Sequence, residues 1–140
     1  MGTISLFDRF QMRPVSSADL DVALVDAGDA LVAVYLWGEN CYNCEQFKMA
    51  AMLEADVLAG LELRWLHADV YADTALARRF SLHGVPAFFF FHRTRKLGRI
   101  TGWPGWRAFV GAVQELQRRI AAPSSVGAAG TASTATDPRA

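Results

Sequence analysis

The chain has 140 residues, about half of them apolar, which is enough for one buried core and argues for one domain rather than two. Its formal net charge is zero, so nothing global points to nucleic acid or to an anionic membrane surface. The zero conceals a division: Met1 to Asp73 holds twelve acids against four Lys or Arg, and Thr74 to Ala140 holds two against ten. Two halves of one intertwined fold would neutralise each other, and the run Arg93, Arg95, Lys96 and Arg99 is where a basic docking face would lie instead.

The first ten residues include Asp8 and Arg9 and no apolar run of leader length, so the expectation is an unexported, cytoplasmic chain with residues 1–17 as an irregular extension. Ser17 is a candidate cap for a helix over Ala18 to Ala27, stopped by Gly28. Ala30 to Trp37 is a continuous apolar run rich in β-formers, the pattern of a central strand covered on both faces. Gly38-Glu39-Asn40 breaks it, and a helix is predicted from Cys41 to about Leu58.

A second strand is predicted within Leu61 to Val70, then a short helix over Thr74 to Phe80 capped by Asp73. Val85 to Phe91 forms the next strand, with Pro86 at its start because proline cannot sit inside a ladder. A turn over Arg93 to Lys96 leads to a hairpin partner, Leu97 to Thr101. Trp106, Phe109, Val110, Val113, Leu116 and Ile120 share one face of a last helix. From Ala122 the chain turns to Ala, Gly, Ser, Thr and Pro, so residues 122–140 read as a disordered low-complexity tail. Both apolar runs fall far short of the ~20 residues of a membrane span. The expected fold is α/β, a central mixed sheet flanked by helices on both faces.

The two cysteines, Cys41 and Cys44, are too close in sequence to staple distant parts of a fold, and too few for a structural zinc site. They lie where a strand gives way to a helix, beside the free amides and positive end of the helix dipole, which favours a thiolate on Cys41. Cys44, one turn on, is placed to attack a mixed disulfide on Cys41. The alternative is a pair of buried cysteines acting as small hydrophobes.

Val34-Tyr35-Leu36-Trp37-Gly38-Glu39-Asn40-Cys41-Tyr42-Asn43-Cys44, followed about forty residues later by Gly84-Val85-Pro86-Ala87, resembles the thioredoxin family over Ala18 to Ala121. The resemblance implies a thioredoxin-like domain over 18–121 and a thiol-disulfide oxidoreductase with Cys41 as nucleophile and Cys44 as resolving thiol. No cofactor is implied beyond the reversible Cys41–Cys44 disulfide. The implied partners are protein disulfides and an external electron donor such as a reductase, with no nucleic acid and no membrane. By the same resemblance Pro86 is cis against the redox pair, Val85 offers backbone to an extended substrate, Trp37 packs beside the centre and Gly102 leaves room at the groove. Pro86 also reads as an ordinary strand-start proline, Trp37 as a core aromatic and Gly102 as a turn glycine.

The sequence departs from the family's pattern at the site itself. Asn40, Tyr42-Asn43 and Glu45 stand where Trp, Gly-Pro and Lys are typical, and Tyr35 and His67 stand where a buried Asp and a Lys accompany the resolving cysteine. Tyr42 and Asn43 are expected to tune the disulfide and the shape shown to partners. A phenol is a poor base at neutral pH, which leaves water, Glu39 or Glu45 to receive the Cys44 proton. A second function is therefore considered: a redox-inert or weakly active binding module that docks partners beside Val85-Pro86, with Trp37, Tyr42 and Trp103 as an exposed apolar surface.

Overall fold

A computed structural model of the chain describes residues 5–122; the tail reading falls on residues of which 123–140 lie outside the described ones. The elements run α1 (Leu6–Arg9), β1 (Arg13–Pro14), α2 (Leu20–Asp26), β2 (Leu31–Trp37), α3 (Tyr42–Leu53), α4 (Ala55–Gly60), β3 (Arg64–Asp69), α5 (Thr74–Arg79), β4 (Ala87–His92), β5 (Arg95–Thr101) and α6 (Trp106–Ala121). They build one five-stranded mixed sheet in the order β1-β3-β2-β4-β5. β3 runs parallel to both β1 and β2, while β4 is antiparallel to both β2 and β5.

Because successive strand residues point to opposite faces, the two apolar runs of the sequence each serve two cores. Val32, Val34 and Leu36 of β2, with Ala87, Phe89 and Phe91 of β4, pack under α2 and α5 with Leu20, Leu24, Leu76 and Phe80. Ala33 and Tyr35, with Phe88 and Phe90, face the other way onto Leu6, Phe47, Leu58, Phe109 and Val113 from α1, α3, α4 and α6. This two-sided burial is why neither strand shows polar alternation.

The N-terminal segment corrects the expectation of an irregular extension. Ser5 caps α1 by accepting the Asp8 N–H at 3.1 Å, Leu6 and Met12 are buried, and β1 pairs in parallel register with β3 through Arg13 with Leu66 and Pro14 with His67. A one-turn helix and a two-residue strand carry no usable periodicity, and Pro14 is tolerated because β1 is an edge strand. The sheet thus starts before residue 18. Asp19, not Ser17, is the cap residue of α2, and Asp73 precedes α5 but spends a carboxylate oxygen on the Ser17 N–H at 2.7 Å.

The predicted long helix is two, α3 and α4, parted at exposed Glu54 (φ −118°, ψ 46°), where no residue is a helix breaker and helical period alone shows nothing. The β4–β5 turn is tighter than expected: Arg93 and Thr94 both take positive φ (51° and 67°), so β5 begins at Arg95. Arg79 reaches Asp21 and Arg93 reaches Asp29, each at 2.7 Å, so the basic half of the chain does neutralise part of the acidic half.

Phe109 is fully buried and stacks or packs edge-on against Trp65 and Phe88. Phe109→Ala is expected to cost about 3–5 kcal/mol of unfolding free energy in a urea titration. Val22→Ala on the exposed face of α2 is expected to stay within about 0.5 kcal/mol.

Candidate active site

β2 delivers the chain to the site at its carboxyl end. Gly38 is buried there with the Tyr71 ring against its Cα, where any side chain would collide, and Asn40 takes a positive φ of 59° that turns the backbone into α3. Cys41 is the cap of α3, in extended conformation, and its Sγ accepts the Cys44 N–H at 3.1 Å. The two cysteines form a disulfide with Cα atoms 5.2 Å apart. Cys41 is half-buried and Cys44 is buried, so the first sulfur is the one a partner can reach.

The Val85–Pro86 peptide is cis, and the Val85 carbonyl oxygen lies 3.5 Å from Cys41 Sγ. The Gly102 N–H donates to the Pro86 carbonyl at 2.7 Å, tying the end of β5 to the start of β4 beside the cysteines. Gly102 holds φ at +78° with open space where a side chain would stand, so backbone conformation and not crowding calls for glycine. Cys41, Cys44, Val85, Pro86 and Gly102 are thus brought together. Tyr42 and Asn43 stand exposed on the first turn of α3, Tyr42 at 75 %.

Trp37 lies on the other side of Cys44. It lines a cleft of about 400 Å³ with Phe7, Tyr35, Gly38, Glu39, Asn40, Cys44, Glu45 and Lys48. Its indole Nε1–H donates to His67 Nδ1 at 3.1 Å, which assigns the His67 proton to Nε2. Phe7 stacks on His67 with centroids 3.8 Å apart and leans on Trp37 at 5.5 Å. Phe7 lies in a one-turn helix too short to show a period, and only the Ser5-x-x-Asp8 spacing of a capped helix points to it in the sequence.

Tyr35, opposite His67 in the β2–β3 register, is 1 % exposed, and its hydroxyl has no hydrogen-bond partner among the described residues. Burial raises its pKa above the ordinary tyrosine value, and the nearby Glu45 carboxylate raises it further. Tyr35 therefore stays a neutral phenol at physiological pH. Glu39 and Glu45 both border the cleft that Cys44 borders, and Glu45 pairs with Lys48 at 3.3 Å. Among the described residues no three His, Cys, Asp or Glu are gathered in a way that could hold a metal ion.

The proposed apolar docking surface does not form. Trp103 is half-buried and packs on Phe47, Phe109 and Trp106, and Trp37 is held by His67 and Phe7. Of the three aromatics only Tyr42 is free, because the other two have better use as core at the edge of the helix layer.

No family model and no curated protein matches the sequence. The structure is similar to that of Fasciola hepatica thioredoxin, with a TM-score of 0.64 and 21 % identity over 74 % of this chain and 98 % of that one. It is also similar to thioredoxin f from spinach chloroplast in its short form, with a TM-score of 0.65 and 21 % identity over 84 % of this chain and 99 % of that one. Thioredoxin f2 of Chlamydomonas reinhardtii superposes with a TM-score of 0.65 at 15 % identity, over 76 % of this chain and 96 % of that one. The chain has the thioredoxin fold.

Burial lowers the His67 pKa below its ordinary 6.5. Between that ordinary value and the depressed folded one, the unfolded chain binds a proton that the folded chain does not, so stability falls as pH drops through this window and is complete above it. In a series of urea titrations the unfolding free energy is expected to fall as pH drops below about 6.5, and His67→Gln is expected to flatten that limb.

Proposed function

We propose that this chain is a thiol-disulfide oxidoreductase that reduces disulfides of protein partners, with Cys41 as nucleophile and Cys44 as resolving thiol. The observation that carries the reading is the half-buried Cys41 sulfur at the N-cap of α3, bonded to Cys44 and facing the Val85 carbonyl of a cis Val85–Pro86 peptide. In the dithiol form, the Cys44 N–H and the positive end of the helix dipole favour the thiolate of Cys41.

That thiolate attacks one sulfur of a substrate disulfide, the other leaves as a thiolate, and a mixed disulfide joins the two chains. Cys44, deprotonated, attacks Cys41 Sγ, forms the intramolecular disulfide and releases the second substrate thiol. Two electrons and two protons pass to the substrate. The proton of Cys44 leaves by way of the cleft that Glu39 and Glu45 border, because the neutral Tyr35 phenol is no base. Val85 and Pro86 receive the substrate backbone, and Gly102 keeps the far wall of the groove clear. An external donor such as a reductase returns the disulfide to the dithiol, and the reaction fits a reducing compartment such as the cytoplasm, where a Cys-x-x-Cys pair is catalytic or redox-sensing more often than structural. The reading calls for neither nucleic acid nor membrane, and no helix among the described residues is long and apolar enough to cross a bilayer.

Insulin reduction with dithiothreitol as donor is expected to proceed catalytically with the wild-type chain and to stop with Cys41→Ser. Cys44→Ser is expected to accumulate a mixed disulfide visible on a non-reducing gel. Wild-type turnover no faster than dithiothreitol alone would leave a binding module as the better account.

A further inference from the structure

The exchange reading leaves one sequence feature unabsorbed, the basic run Arg93, Arg95, Lys96 and Arg99. Arg93 is paired with Asp29 at 2.7 Å, but no ion pair or side-chain hydrogen bond among the described residues uses Arg95, Lys96 or Arg99. All three are exposed on β5, an edge strand. The Arg99 guanidinium and the Lys96 ammonium lie 5.5 and 5.7 Å from the centre of the Phe89 ring, which holds both charges beside the sheet without consuming their donors.

Arg99 also borders the Val85–Pro86 segment that faces the redox pair. With His83, Gly84, Val85, Pro86, Thr101 and Gly102 it lines a groove of about 370 Å³, and Val85 is the residue whose carbonyl faces Cys41 Sγ. No carboxylate lines this groove. Across the same Gly84-Val85 backbone lies a second hollow of about 280 Å³, where Val70, Tyr71, Ala77 and Leu82 supply apolar walls, again without a carboxylate. The acidic side chains of the site, Glu39 and Glu45, border the separate cleft on the Cys44 side. A chain laid across Val85 with its cysteine at Cys41 would therefore meet a cation on one side and an apolar hollow on the other.

Resting on the exchange reading, we propose that the substrate class of this site is an acidic disulfide-bearing polypeptide segment, with an Asp or Glu near its cysteine received by Arg99 and an apolar residue on the opposite side received between Tyr71 and Leu82. The planar guanidinium is preset over Phe89, so a carboxylate gains two parallel N–H donors at little ordering cost. Arg95 and Lys96 continue the positive surface along β5 and raise the encounter rate with an acidic partner.

The test uses the reduced full chain in single-turnover reaction with peptides disulfide-linked to a chromogenic thiol, where one residue within two positions of the cysteine is Glu, Gln or Lys. The Glu peptide is expected to react about fivefold faster in kcat/KM than its Gln counterpart, with Lys slowest, when the changed residue is on one side of the cysteine only. Arg99→Gln is expected to bring the Glu-to-Gln ratio to about one, Arg99→Lys to retain part of it, and added salt to shrink it in the wild type. A wild-type ratio near one, or a ratio that Arg99→Gln leaves intact, overturns the acidic-substrate proposal while the exchange reading stands. No reaction with any peptide or with insulin overturns the exchange reading and this proposal with it.

Discussion

The structure depends on the burial of β2 on both faces. Leu31 through Leu36 are each 7 % exposed or less, half of them sealed by α2 and α5 and half by α1, α3, α4 and α6. A strand so enclosed cannot slip by a residue, because a slip would exchange the two sets and put Tyr35 among Leu24, Leu76 and Phe89. Fixed register at β2 in turn fixes where the chain leaves the sheet, and that exit is Gly38 to Cys41. The position of the reactive sulfur is thus set by core packing some distance from it.

The same enclosure creates the unusual chemistry near Cys44. An acid in the place of Tyr35 would be buried at the same depth and could exchange a proton with the cleft; a phenol there fills volume and stacks on Phe88 with centroids 5.4 Å apart. The carboxylates that border this cleft, Glu39 and Glu45, stand exposed at its rim instead. Phe7 and Trp37, both held by His67, line this cleft, so the N-terminal helix helps to shape the site although it lies far from the cysteines in sequence. Both carboxylates of the site thus lie on the Cys44 side, Glu45 paired there with Lys48, while Arg99 borders the Val85 side with no carboxylate in its groove.

Much of this was legible in the sequence where a physical signal was long or chemically specific. The apolar runs of β2 and β4 announced two-sided strands, the one-faced spacing from Trp106 to Ile120 announced α6, and the Cys41, Cys44, Val85 and Pro86 pattern pointed to the groups that meet at the site. What stayed hidden was short or depended on tertiary contact. α1 and β1 are too brief for a period, and the break at Glu54 has no residue to mark it. That Trp103 packs inward, that Phe7 stacks on His67 and that Arg99 borders the Val85 groove follow from how distant segments meet, which spacing alone does not encode.

The most direct test of the central claim is a redox titration of the full chain in dithiothreitol or glutathione buffers, quenched with a thiol-alkylating mass tag and read by mass spectrometry. The account predicts a reversible two-electron transition between a doubly tagged dithiol and an untagged Cys41–Cys44 disulfide. Thiols that stay tagged across the whole range, or that pass only to intermolecular disulfides, would contradict it.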